Sequence, residues 1–258
     1  MVVEFSSHNI RLDNGTYTKP DAKFSIENHP WLISAKRIIE TVFPGDKQNL
    51  RLADIGCLEG GYAVEFARMG LDVLGVEIRD SNIAACNYVK LNTDLPNLKF
   101  VNDNALNIAD HGSFDVIFCC GLLYHLDNPK EYLGTLSSVT SKLLILQTHF
   151  STAENQQNTF ELSELIENEG LPGRWYTEFK DDQTFNRRES LKWASWDNHR
   201  SFWVQREWLL KTIQDVGFDL VMEQFDSLEG NIAESMLNGF YKDQARGTFI
   251  GIKTDLSV

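Results

Sequence analysis

With 258 residues, 42% of them hydrophobic, the chain can bury one sizeable core, and no apolar run approaches the ~18 residues needed to span a bilayer. Acidic residues outnumber basic ones 37 to 24, a net charge of −13, which disfavours nucleic acid or another polyanion as partner. The stretch MVVEFSSHNIRLDNG has neither the basic start nor the apolar centre of a signal peptide, so a cytoplasmic protein is expected, its oligomeric state left open.

Residues 1–48 read as an irregular polar cover followed by a helix. Asn14-Gly15 and Lys19-Pro20 mark turns, and Pro30-Trp31 opens a helix that runs to about Val42. Leu52 to Ile55 is a buried strand, and Gly56, Gly60 and Gly61 form a tight turn before an amphipathic helix with Val64, Phe66, Ala67 and Met69 on its apolar positions. Strand, glycine turn and helix make the nucleotide-binding start of a doubly wound sheet, with the helix N-terminus offering N–H groups to an anion. The frame Gly56, Leu58, Gly61 lacks the middle glycine that admits a pyrophosphate. Asp54, at the strand end, would repel a pyrophosphate and suit a cationic group such as an amine.

Asp72 to Glu77 is a second strand, and Glu77 falls about 20 residues past the turn, where an acid accepts hydrogen bonds from ribose hydroxyls. Ser81 is expected to cap a helix from Asn82 to about Asn92. Leu98 to Val101 is a third strand, followed by Asn102-Asp103-Asn104-Ala105. Phe114 to Cys120 is a fourth, ending in Gly121-Leu122-Leu123-Tyr124-His125-Leu126, and a helix follows from Pro129 to Ser138. Leu143 to Thr148 is a fifth, with His149 at its edge. The two histidines lack a third ligand, and Cys57, Cys86, Cys119 and Cys120 show no C-x-x-C spacing, so buried free thiols and no metal are expected.

From Ser151 to Arg200 periodicity is lost while aromatics stay frequent, which reads as a lid or substrate-binding insertion (151–200). Trp175, Glu178, Trp196, Asn198 and Arg200, together with Tyr124, are its candidate acceptor contacts. Asn198 to Trp203 leads into a helix from Arg206 to Val216. Phe218 to Met222 and Gly247 to Lys253 are the last strands, with a short helix at Ile232 to Phe240 before the final one.

The run Asp54-Ile55-Gly56-Cys57 resembles motif I of the class I S-adenosylmethionine-dependent methyltransferases, D-x-G-C-x-x-G-x, with Leu58 where glycine is frequent. The Phe114–Phe118 run, Gly121 and Tyr124-His125-Leu126 with Pro129 resemble motif IV of the small-molecule members. The resemblance implies one domain over 1–258, with an α/β fold whose doubly wound, mostly parallel seven-stranded sheet has an antiparallel last strand. It implies S-adenosyl-L-methionine as cofactor, held by Asp54, Gly56, Cys57, Gly60, Glu77, Ile78, Gly121 and Ala105, with Asp103 or Asn104 at the adenine amino group. The expected reaction is O-methylation of a hydroxylated small molecule, a sugar or natural-product intermediate, with His125 or His149 as base. The Y-H-L-x-x-P motif also occurs in enzymes of wobble-uridine tRNA modification, an alternative the acidic charge opposes. A retired, methyltransferase-like binding protein is the alternative of another class, and a dehydrogenase is the most distant.

Overall fold

The structure, a computed structural model, describes residues 3–153, 160–179, 185–226, 234, 237 and 244–254. Apart from Glu234 and Leu237, both helical, the helix expected at Ile232 to Phe240 lies outside these residues. No helix among the described residues is long and apolar enough to cross a membrane.

Helix α1 (Pro30–Val42) has proline at its first position, where no N–H is missed, and the His29 ring accepts from Trp31 N–H. Then follow β1 (Arg51–Ile55), α2 (Gly61–Arg68), β2 (Asp72–Glu77), α3 (Asp80–Leu91), β3 (Leu98–Asn102) and β4 (Phe114–Cys120). After these come α4 (Pro129–Val139), β5 (Thr140–His149), β6 (Ile166–Asn168), β7 (Leu171–Thr177), α5 (Phe185–Ser190), β8 (Arg200–Val204), α6 (Arg206–Asp215), β9 (Leu220–Gln224) and β10 (Arg246–Ile252). A seven-stranded sheet has the order β3-β2-β1-β4-β5-β10-β9. Strands β1, β2 and β3 are mutually parallel, and β10 runs antiparallel to β9, the arrangement expected of the sequence. Helix α3 starts at Asp80 behind Arg79 rather than behind Ser81.

The chain forms two compact units, residues 1–118 with 139–143, and 119–138 with 144–258. In the first, α2 buries all but Arg68, and Leu52, Ile55, Phe66, Val73, Val76 and Leu98 are fully enclosed. Burying each such side chain contributes about 1.5–3 kcal/mol.

In the second unit the segment in which periodicity is lost leads into a three-stranded antiparallel sheet, β6-β7-β8. Its pattern escapes a sequence reading for physical reasons. Strand β6 has three residues, too few to show alternation, and β7 carries Pro172 and Gly173. Its hairpin turn is Glu169-Gly170 rather than Asn-Gly, with Glu169 in the left-handed region at φ 55°. That conformation aims the Glu169 carboxylate at the start of α4, where it accepts from Lys130 N–H and Glu131 N–H, each at 2.9 Å. The stretch expected to lead into α6 is likewise a strand, β8, with Phe202, Trp203 and Val204 buried. Buried Arg174 ties the insertion together by donating to the carbonyls of Ser163, Ala153 and Thr152 at 2.8, 3.2 and 3.4 Å.

Candidate active site

In the first unit, β1 delivers Asp54 to the turn. Its side chain is 1% exposed, and one carboxylate oxygen has no hydrogen-bond partner among the described residues. Burial, with a smaller push from the charge of Glu77, raises its pKa from 3.8 to about 8 against a hydrogen bond from Ala63 N–H. A carboxylate left in this state is a ready partner for a cation.

Glu77 closes β2, buried as well. Its oxygens accept from Leu58 N–H at 3.0 Å and Arg79 N–H at 2.8 Å. Burial raises its pKa, against those two donations. The Asn82 side chain also favours the ionised carboxylate, and a lone pair remains for a further donor. The turn itself is left-handed at Gly56, Leu58 and Gly60, with φ of 70°, 53° and 80°. At Leu58 this costs roughly 1–2 kcal/mol, the reason glycine suits the position. At Gly60 a Cβ would lie 2.6 Å from the Phe100 ring, so both the conformation and the contact exclude a side chain. Cys57 is buried, its Sγ 4.0 Å from that of Cys86.

The donors expected to be open at the start of α2 are engaged. Gly61 N–H donates to His8 Nδ1 at 3.0 Å, and Ala63 N–H donates to Asp54. Burial lowers the His8 pKa from 6.5 to about 4, which keeps the ring neutral and able to accept. His8 is held there by Glu59, a fully buried acid that carries no sequence signal of its own. Its oxygens accept from Ser6 N–H at 2.5 Å, Ser6 Oγ at 2.7 Å, Ser7 N–H at 3.0 Å and His8 N–H at 2.7 Å. Burial raises the carboxyl pKa, but these donations prevail and leave it below its ordinary value. Glu59→Ala should therefore destabilise the protein by roughly 2–4 kcal/mol, since bonds to charged groups contribute about 1.5–3 kcal/mol each and water replaces some of them. Chemical denaturation checks this; a change below about 0.5 kcal/mol would show the clasp to be dispensable.

Further along, Asp103 accepts from Asn104 N–H at 2.7 Å and Asn107 Nδ2 at 2.8 Å, and pairs with His111 at 2.8 Å. Asn107 and His111 hold its carboxyl below the usual range. Asn104 Oδ1 caps the 3-10 helix Ala105–His111 by accepting from Leu106 N–H at 3.0 Å. Both candidate adenine contacts thus already serve this loop, although a carboxylate oxygen can accept twice. Ile78 follows Glu77 directly, its side chain half-buried.

The second unit gathers the other candidates. Gly121, left-handed at φ 83°, ends β4, and a Cβ there would meet Arg246 Nη2 at 3.3 Å. His125 Nδ1 lies 2.8 Å from Glu178 Oε1. The His125 side chain is 14% exposed and that of Glu178 is 1% exposed. Glu178 also accepts from Ser201 Oγ at 2.7 Å and Ser195 N–H at 2.9 Å. Asn198 Nδ2 donates to the His125 carbonyl at 3.1 Å. Two residues expected at the acceptor, Glu178 and Asn198, thus bond to His125.

His149 stacks on Trp203, with centroids 4.7 Å apart and planes at 12°. Its Nδ1–H donates to the Ala245 carbonyl at 3.0 Å, so Nε2 is the bare nitrogen. Burial, then the charge of Arg246, lowers its pKa to about 4. Tyr124 packs against both histidines, at 4.3 and 4.6 Å. Arg246 lies over the Tyr124 ring and donates through Nε to Gln147 Oε1 at 2.8 Å. Neither Arg246 nor Gln147 carries a sequence signal; one opens the last strand and the other lies in an apolar run. Arg200 stacks 3.9 Å over Trp175, and Trp196 faces Arg188 at 5.7 Å.

A glycine turn with an acid at its foot, a second acid one strand over and a histidine after β4 define a family, and the chain belongs to it: the sequence model of a methyltransferase-domain family matches residues 33–223. Over 98 residues the chain is 31% identical to the mitochondrial ubiquinone biosynthesis O-methyltransferase of Arabidopsis thaliana, covering 36% of this chain and 30% of that protein. It is 31% identical over 91 residues to the ubiquinone biosynthesis O-methyltransferase of Albidiferax ferrireducens, covering 34% of this chain and 36% of the relative. The matches thus span about a third of the length of these curated relatives. The crystal structure of the N-terminal domain of EvdMO1 in the presence of SAH and D-fucose shares the fold, with a TM-score of 0.67, 19% identity, and coverage of 95% of this chain and 90% of that one.

Proposed function

We propose that the protein transfers a methyl group from S-adenosylmethionine to an oxygen of a small, hydroxylated acceptor. The observation that carries the reading is the buried, half-unpartnered carboxylate of Asp54 at the foot of the glycine turn, one strand from Glu77. An amino group answers the orphaned oxygen of Asp54, and a ribose hydroxyl answers the lone pair left on Glu77. Gly56, Cys57, Gly60, Ile78 and the Asp103–Ala105 loop complete the cofactor contacts of the first unit.

The bound cofactor supplies an already activated methyl group. The protein's part is to orient the acceptor, exclude water and take up the acceptor's proton. His125 is the first choice for that last role. Tyr124, His149, Trp203 and Tyr176 form an aromatic wall suited to a ring-shaped acceptor. The names of the curated relatives support oxygen as the acceptor atom. The acidic charge supports a small molecule over a nucleic acid, and the buried free thiols of Cys57, Cys86 and Cys119 accord with a cytoplasmic enzyme. We read residues 1–258 as one functional domain in which 151–200 shapes the acceptor site.

Calorimetry with S-adenosylmethionine, its demethylated product and NAD tests the reading. The first two should bind and NAD should bind much more weakly. Tight NAD binding without an S-adenosylmethionine signal would overturn it.

A further inference from the structure

We infer that Glu178 is a positioning residue that fixes the tautomer of His125, so that His125 Nε2 faces the acceptor as a bare nitrogen. The inference rests on the methyltransferase reading for its purpose, but the geometry stands by itself. Glu178 comes from the end of β7 in the insertion, 53 residues from His125, and its side chain is almost wholly enclosed. Three donors converge on it: His125 Nδ1, Ser201 Oγ and Ser195 N–H.

An ionised carboxylate can only accept, so the proton in the 2.8 Å contact belongs to His125 Nδ1. Whenever the imidazole is neutral, Nε2 is then unprotonated, on a side chain that stays partly exposed. The surroundings hold the backbone of the histidine as well as its ring. Asn198 Nδ2 donates to the His125 carbonyl at 3.1 Å, and Asn198 N–H donates to Ser195 Oγ at 3.1 Å. Trp203 Nε1 donates to the neighbouring Tyr124 carbonyl at 3.0 Å.

In the reaction, the proton leaving the acceptor oxygen passes to Nε2, and the oxygen keeps the electron pair that forms its new bond to the methyl carbon, while the bond from that carbon to the cofactor's sulfur would break with its pair leaving on sulfur. The imidazolium so formed shares its Nδ1–H with Glu178, which remains a carboxylate and stabilises the new charge. His149 has the same tautomer on a different support. Its Nδ1–H meets a neutral carbonyl, and among the described residues no carboxylate contributes to its electrostatics. The insertion thus supplies the support behind a base, beyond any part it plays as a wall.

The test is nitrogen NMR of the full chain with isotopically labelled histidine, in wild type, Glu178→Ala and Glu178→Gln. Wild-type His125 should show a protonated Nδ1 and a bare Nε2. Removing the acceptor in Glu178→Ala should shift the proton towards Nε2, and Glu178→Gln, whose amide oxygen can still accept, should restore the wild-type pattern. A purely structural staple would not move the tautomer. A wild-type His125 protonated on Nε2, or a folded Glu178→Ala variant that keeps the wild-type pattern, overturns the inference. Should the alanine variant fail to fold, the wild-type spectrum decides alone. Failure of the parent reading is seen separately, as absence of S-adenosylmethionine binding by the wild-type protein.

Discussion

Asp54→Asn should make the ligand-free protein more stable at pH 8 while sharply lowering its affinity for S-adenosylmethionine. The folded state raises the Asp54 pKa from 3.8 to about 8. The unfolded chain therefore releases this proton above about pH 4, whereas the folded protein keeps it to about pH 8. The linked stability is fully present below the lower value and is lost as pH rises through the upper one. A tenfold difference in proton affinity between the two states corresponds to about 1.36 kcal/mol, so the wild type should lose on the order of 5 kcal/mol across the window. Asparagine has no proton to lose, so the variant should match the wild type near pH 4 and exceed it at pH 8.

The affinity should move the other way. A charge-assisted hydrogen bond contributes about 1.5–3 kcal/mol, so its loss should weaken cofactor binding by roughly 10–150-fold. In the wild type, pairing with the ligand's ammonium requires Asp54 to ionise, so binding at pH 7 should release close to one proton, visible as a buffer-dependent enthalpy. Denaturation at pH 4 and pH 8 checks the first claim and calorimetry the second. Equal stability gains at both pH values, or unchanged affinity, would refute the role given to Asp54.

The second large effect is on turnover. His125→Ala should lower the single-turnover rate by roughly 10²–10⁴-fold, the usual contribution of a positioned base, and leave cofactor affinity nearly intact. His149→Ala should cost far less. With its pKa lowered to about 4, His149 is a poor proton acceptor, and its Nδ1–H is tied to Ala245. The pH profile separates the two. A base with the pKa of His149 would sustain full rate down to about pH 5. Such a flat profile, together with an active His125→Ala variant, would transfer the role to His149. Full rate in both variants would exclude a histidine base.

These sites also show what a sequence can reveal. Asp54 and Glu77 are legible because their meaning is local: each ends a short apolar strand at a fixed distance from a glycine turn. Helix α1 and strands β2 and β4 are legible for the same reason, and their observed limits match those read from periodicity and proline. Glu178 is legible only as a polar residue in an aromatic-rich segment. Its partner lies 53 residues back, and nothing local marks the pairing. Glu59 is a similar case, an acid in a glycine turn whose partners Ser6, Ser7 and His8 lie 53, 52 and 51 positions away. The sheet β6-β7-β8 is hidden because a three-residue strand and a strand broken by Pro172 and Gly173 carry no alternation to detect.

The Glu59 clasp has a consequence in time. During synthesis residues 6–8 are made first, yet the acid they close on follows 53 positions after Ser6. Closing a loop of that length carries an entropic cost that only a completed partner repays. The strand and helix on either side of the turn can form from neighbours in sequence, but the turn's final shape waits for a distant segment to return. Ligand affinity should therefore recover later than helical content when the denatured protein is refolded, and Glu59→Ala should leave the early helical phase unchanged.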